Sequence, residues 1–260
     1  MPKKNISHSF WLNSILKWHA SSSFRTLLPR SQNQGAAMTM KIYGDPGSGS
    51  LRRVTTAARI MGVDLERVKV DLFKGESQTD DFKSRLNPHG LTPVLEDGGF
   101  VLYEASAINL YLAGKVNSPL AGTTETERFE VLQWMFWSGE QWRIFATALF
   151  DERVGKTVMG LPKDEAVIAF AEGKMRAAAR VLDQHLEGRR FMVGDALTLA
   201  DIDIAGPFSQ IDRSKPPLRD YPNLMAWHDN LLESVPAWAE TKAEVDNRID
   251  TFLAGVGVTL

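Results

Sequence analysis

The apolar periodicity of this chain changes character once, between residues 116 and 123, and that change limits the possible folds more than composition does. Before it, short apolar runs alternate with amphipathic stretches. "KIYG" reads as a strand; Val54, Ala57, Ala58 and Met61 then recur at helical spacing and stop at Gly62. "RVKVDLF" restores strand character over Glu66 to Phe73, and a short helix is expected near Asp80 to Leu86. "TPVLEDGGFVLYE" holds two strands around an Asp97-Gly98-Gly99 turn, and a helix begins near Glu104 with Ile108, Tyr111 and Leu112 on its buried stripe. The order β-α-β-α-β-β-α calls for a small sheet with helices packed over it.

Beyond the change, only helical spacing remains. A long apolar and aromatic segment runs from Glu125 to Phe150, and Ile168, Ala171, Met175, Ala178 and Leu182 step by three and four toward a stop at Gly188. "TLAD", Thr198 to Asp201, has the form of a capping box that starts a helix. The expected architecture is an α/β domain over 40–116 joined to an all-α domain over 123–250. Residues 1–39 are set apart as Ser-rich and acid-free. They read either as an organellar transit peptide or as sequence upstream of a start at Met38 or Met40.

Composition enters by exclusion. With 260 residues and 43% apolar content the chain can bury a real core, and no run approaches the roughly 18 apolar residues of a membrane span. There are no cysteines, which removes thiolate nucleophiles, disulfides and zinc-thiolate sites, so any thiol handled here belongs to a substrate. The five histidines lack ligand spacing, and no metal is expected. Five basic residues and no acid lie in the first 40 positions, so the remainder is more negative than the formal charge of −2. Such a body is a poor partner for nucleic acid.

The informative motif is "KIYGDPGSGSLRRV", residues 41–54. A strand, a Gly-rich turn and a helix deliver free N–H groups and a helix dipole to an anion. As a phosphate loop it puts Ser50 where lysine belongs; as a dinucleotide fingerprint it puts Arg52 where the third glycine belongs. No G-x-S-x-G elbow supports a hydrolase serine. Two roles remain for Ser48 or Ser50: capping the helix, or stabilising a thiolate by hydrogen bond and dipole. In "NPHGLTPVL" Pro93 enters a strand directly and is a candidate cis residue, leaving Thr92 to offer its N–H and C=O to a peptide-like ligand. Glu104 then opens the next helix in "LYEASAINLYLA". Three strand-helix junctions thus face one small, charged, peptide-like ligand.

Together with "DLFKGE", "TLADIDIAG" and "DYPNLMAWHDNLLESVPAW", these motifs make the chain resemble a cytosolic glutathione transferase over nearly all of residues 40–245, closest to the serine-type phi class and its bacterial relatives. The resemblance implies a thioredoxin-like N-terminal domain, an all-helical C-terminal domain, glutathione as co-substrate, a homodimer, a cytoplasmic location and a role in detoxification. Organellar import is the alternative if residues 1–39 are a transit peptide. It carries the catalytic role to Ser48, with Ser50 as the fallback, and glutathione binding to Gln78, Thr92, Pro93, Glu104 and Ala105. Ala105 lacks the family's hydroxyl, for which Ser106 is a substitute, and Ser77-Gln78 stand where the phi class has His-Lys; Gln78 or Lys74 would compensate. Trp137, Gln141 and Phe145, at i, i+4 and i+8, are candidates for a hydrophobic-substrate pocket. Two other readings use the same scaffold: a glutathione-dependent peroxidase, dehalogenase or ether-cleaving enzyme, and a non-catalytic binding or assembly module.

Overall fold

Strand β1 (Lys41–Gly44) opens the sheet with Ile42 and Gly44 on one face and Tyr43 on the other, the alternation a pleated strand imposes. The computed structural model describes residues 39–260; the leader assigned to 1–39 lies, except for its last residue, outside the described residues. Helix α1 (Gly49–Met61) follows and ends where Gly62 turns left-handed at φ 66°. Strand β2 (Glu66–Lys69) pairs parallel with β1, Lys41 opposite Glu66. The strand expected to reach Phe73 stops at Lys69. There the Asp71 carboxylate accepts the Phe73 N–H at 3.2 Å and starts a 3-10 turn, Leu72–Lys74, closed by Gly75 at φ 70°. A second 3-10 turn, Glu76–Gln78, leads to α2 (Asp80–Arg85), capped by Thr79.

Strands β3 (Val94–Asp97) and β4 (Phe100–Tyr103) form the expected hairpin, with Gly98 and Gly99 at φ 57° and 89° as its two-residue turn requires. The sheet order is β2-β1-β3-β4, with β3 antiparallel to both neighbours. Helix α3 (Ala105–Val116) joins α1 on one face, burying Ile42, Leu51, Val54, Leu95, Ile108 and Leu112. Each such side chain contributes about 1.5–3 kcal/mol by leaving water. Tyr43 on the other face meets Val70, Phe82 and Val94. This is the thioredoxin-like arrangement.

A 3-10 turn, Pro119–Ala121, leads to the helical layer. The expected long helix is there but is not regular: α4 (Glu125–Trp137), a π-helical turn (Ser138–Arg143), α5 (Ile144–Phe150), a second π-helical turn (Asp151–Gly155) and α6 (Lys156–Met159) form one continuous rod. Then come α7 (Glu165–His185), α8 (Leu199–Ile204), a 3-10 turn (Gly206–Gln210), α9 (Ile211–Ser214), α10 (Pro222–Ser234) and α11 (Pro236–Gly255). The Thr198–Asp201 capping box forms. The wholly buried Asp201 carboxylate accepts the Thr198 N–H at 2.9 Å, the Met192 N–H at 2.7 Å and the Trp227 indole N–H at 3.1 Å. The layers share α1: its Val54 and Ala58 belong to the sheet core, its Ala57 to the helical core with Trp142, Met175 and Phe208.

Candidate functional site

The turn after β1 is Asp45-Pro46-Gly47-Ser48. The Ser48 N–H donates to the Asp45 carbonyl at 2.9 Å, closing a β-turn whose second position suits the fixed φ of proline. The Asp45 carboxylate accepts the Gly47 N–H at 2.8 Å and reaches the Leu72 N–H at 3.2 Å. Arg248 of α11 grips both of its oxygens, Nε to Oδ1 at 3.0 Å and Nη2 to Oδ2 at 2.9 Å. Gly47 and Gly49 are small because the helical layer presses on them. A β-carbon at Gly47 would lie 2.6 Å from Ile249 Cδ1, and one at Gly49 3.2 Å from Ser209 Cβ.

Ser48 is the N-cap of α1, and its Oγ accepts the Leu51 N–H at a long 3.4 Å. A hydroxyl that accepts keeps its own proton, so capping and donation to a ligand are compatible rather than rival roles. Ser50 sits inside the first helical turn, half-buried.

Register brings the three junctions side by side. Tyr43 faces Val94, and Val94 faces Tyr103. One step further, Gly44, Pro93 and Glu104 fall in one row across the sheet, neighbouring strands being about 4.8 Å apart. The Ser48 turn, Thr92 and the start of α3 therefore share one end of the sheet. The Thr92–Pro93 bond is cis, and the buried Thr92 hydroxyl has no partner among the described residues. Glu104, the N-cap of α3, holds φ 72° and ψ 111°, a conformation that costs a non-glycine residue about 1–3 kcal/mol; it is exposed, and its carboxylate makes no cap hydrogen bond to the helix. The Ala105 side chain is buried with Ile42 and Leu51, so only its N–H is on offer. The Ser106 hydroxyl donates to Asp203 Oδ1 at 2.9 Å and accepts from Arg53 at 3.2 Å; it is committed within the chain. Exposed Gln78 donates to the Gly90 carbonyl at 2.7 Å, tying the 3-10 turn to the loop ahead of Thr92, and Lys74 is exposed nearby in sequence.

The model of the glutathione S-transferase N-terminal domain matches residues 38–114, and that of the C-terminal domain matches residues 143–234. Glutathione S-transferase F10 of Arabidopsis thaliana is 32% identical over 217 residues, covering 80% of this chain and 98% of that protein. The chain belongs to the glutathione S-transferase family. Its relatives include plant phi-class enzymes, and it shares their assignment as a transferase. The fold of glutathione transferase F7 from Populus trichocarpa matches with a TM-score of 0.73 at 23% identity, covering 80% of this chain and 99% of that one. Maize glutathione S-transferase I, solved with an atrazine glutathione conjugate, matches with a TM-score of 0.71 at 26% identity over 80% of this chain and 98% of that one.

In this transferase several charged residues that sequence spacing did not single out surround the site. Arg53 pairs with the fully buried Asp203, and Arg143, carried by the first π-helical turn, reaches the other Asp203 oxygen at 3.2 Å and the Ser106 hydroxyl at 3.5 Å. Burial, then the neighbouring Arg53, pushes Arg143 down to about 10, still protonated at neutral pH. Arg52 is buried over the Trp238 ring and donates to three neutral oxygens, Thr241 Oγ1, Ser209 Oγ and the Trp238 carbonyl. The only local signal was the pair of arginines, Arg52 and Arg53, in the first turns of α1. The three pocket candidates lie along the rod that begins with α4. Trp137 packs edge-on to Trp134, which lies against His185 of α7; Phe145 packs against Phe170 of α7; Gln141 is exposed. A π-helical turn separates Trp137 from Phe145, a local irregularity that sequence spacing did not indicate.

Proposed function

We propose that this chain conjugates glutathione to hydrophobic electrophiles, with the Ser48 hydroxyl activating the thiol. The observation that carries the reading is the position of Ser48: an N-cap hydroxyl at the sheet end that also holds the cis Thr92–Pro93 step and the start of α3. Thr92 pairs its backbone with the cysteinyl part of glutathione beside Pro93. Glu104 and the Ala105 N–H take the γ-glutamyl end, and Gln78 the glycyl end. Free thiols titrate near 8.5, and the thiolate is the nucleophile. Lowering that value by about two units needs about 2.7 kcal/mol, within reach of one charge-assisted hydrogen bond of about 1.5–3 kcal/mol backed by the helix amides. The thiol proton leaves to solvent, Ser48 donates to the sulfur anion, and the sulfur then bonds the electrophilic carbon as its leaving group departs. The atrazine conjugate held by the maize relative supports an apolar electrophile as second substrate.

The test is ultraviolet thiolate absorbance of the glutathione complex against pH. Wild type should show thiolate below pH 7, Ser48→Ala should lose it and Ser50→Ala should keep it. Loss in Ser50→Ala alone moves the role by two residues, and a protein that binds glutathione only as thiol refutes the mechanism. We also place a detoxifying homodimer in the cytoplasm. Phe129 and Phe136, on one face of α4 and 64% and 69% exposed, suit a subunit interface that sedimentation equilibrium would detect. Among the described residues no helix is long and apolar enough to cross a membrane. Fluorescent fusions with and without residues 1–39 would reveal organellar import if it occurs.

A further inference from the structure

We propose that Arg248, on the last helix of the chain, is a positioning residue for thiol activation, holding through Asp45 the turn that carries Ser48. The inference rests on Ser48 as the activating hydroxyl and adds a residue outside the sheet layer to the machinery.

Asp45 is only 2% exposed, and its carboxylate organises the turn from inside: it accepts the Gly47 N–H, while its carbonyl accepts the Ser48 N–H. This buried carboxylate has a counter-charge, which Arg248 supplies with two hydrogen bonds in the fork geometry a lysine lacks. The same guanidinium donates to Asp71 Oδ1 at 2.9 Å and lies 4.9 Å from the centre of the Phe73 ring, which stacks on Phe252 of α11 at 3.5 Å. Burial pushes the Asp71 carboxyl up, but Arg248, Lys69 and Lys74 outweigh it and leave the group below the usual carboxylate range. One cation thus serves two carboxylates on two separate turns. Without it, two buried negative charges face each other across the base of the turn. They repel one another, and the relaxation moves the backbone that aims Ser48. A hydrogen bond to sulfur weakens steeply with displacement and angle, so a shift of about 0.5 Å is enough to register.

The experiment is the pH titration of thiolate absorbance in the glutathione complexes of wild type, Arg248→Gln and Arg248→Lys, each repeated with Ser48→Ala. Arg248→Gln should raise the thiol pKa by about one unit, lowering kcat/KM about tenfold near pH 6.5 with recovery above pH 9. Arg248→Lys should fall between, since a point charge restores the cation but not the fork. In the Ser48→Ala background the Arg248→Gln shift should vanish, which a merely structural role would not produce. Glu244→Gln, one turn earlier on α11, breaks pairs with Arg59 and Arg67 and should leave the thiol unchanged. An unchanged thiol pKa in a folded Arg248→Gln, or in Arg248→Lys if the glutamine variant does not fold, overturns this proposal alone. Absence of thiolate in the wild-type complex overturns the Ser48 reading with it.

Discussion

Replacing Gly47 by alanine isolates how tightly the helical layer presses on the turn. The new β-carbon would sit 2.6 Å from Ile249 Cδ1 and 3.2 Å from both Arg248 Cγ and Asp45 Oδ1. Relaxed carbon contacts lie at about 3.5–4.0 Å, so roughly 1 Å of displacement is needed. Ile249 has little room to yield, being 3% exposed and packed with Val245 and Leu253. Overpacking of this kind costs about 1–3 kcal/mol. Taking about 2 kcal/mol, and about 2–4 °C per kcal/mol for a domain of this size, Gly47→Ala should lower Tm by about 4–8 °C.

Ile249→Val removes the one atom responsible for the clash and alone should cost about 0.5–1.5 kcal/mol. If the reasoning holds, the two substitutions are strongly non-additive. In the double variant the new methyl occupies the vacated space, and urea denaturation followed by tryptophan fluorescence should recover at least about 1 kcal/mol of the summed loss. Additive losses, or a neutral Gly47→Ala, would show that the turn is not confined by α11 and would weaken the case for Arg248 as well.

Asp201→Ala should cost about 3–5 kcal/mol by calorimetry, because it strands the buried Met192, Thr198 and Trp227 donors together. His228, 4% exposed and stacked on Phe208, is pushed down to about 3, first by burial and then by Arg52 and Lys242. The unfolded chain binds a proton there near pH 6.5 and the fold does not, so this contribution is complete above that pH and is lost as pH falls. The loss at pH 5 is about 2 kcal/mol, and His228→Gln should abolish it in urea titrations at pH 7 and 5. An equal pH dependence in both proteins would refute the assignment.

The elements of the sheet layer were readable because a period of two and a period of 3.6 leave different marks. The Asp97-Gly98-Gly99 hairpin and the Thr198–Asp201 box were readable because their chemistry is local. β2 ended early because Asp71 found a closer task, capping a turn, than the alternation of its neighbours suggested. The π-helical turns left no mark, since one extra residue per turn changes the angle of a helix but not its composition. Ser106 looked available from sequence alone; its hydroxyl is taken by Asp203, 97 positions away. Asp45 and Arg248 are 203 positions apart, and no spacing rule connects them.

That separation bears on how the site is built. Eight consecutive residues of α1, Leu51 to Ala58, are buried, which happens only when a helix is covered on all sides. Within and just ahead of this stretch lie three charged residues, and each is satisfied from the helical layer: Asp45 by Arg248 of α11, Arg52 by Trp238 and Thr241 of α11, and Arg53 by Asp203 of α8. The sheet layer supplies Ser48 and the amides; the helical layer supplies the counter-charges and the walls. The precision of the serine therefore depends on interlayer packing, and a loosened α11 registers first at the turn after β1, because that turn has no charge partner of its own.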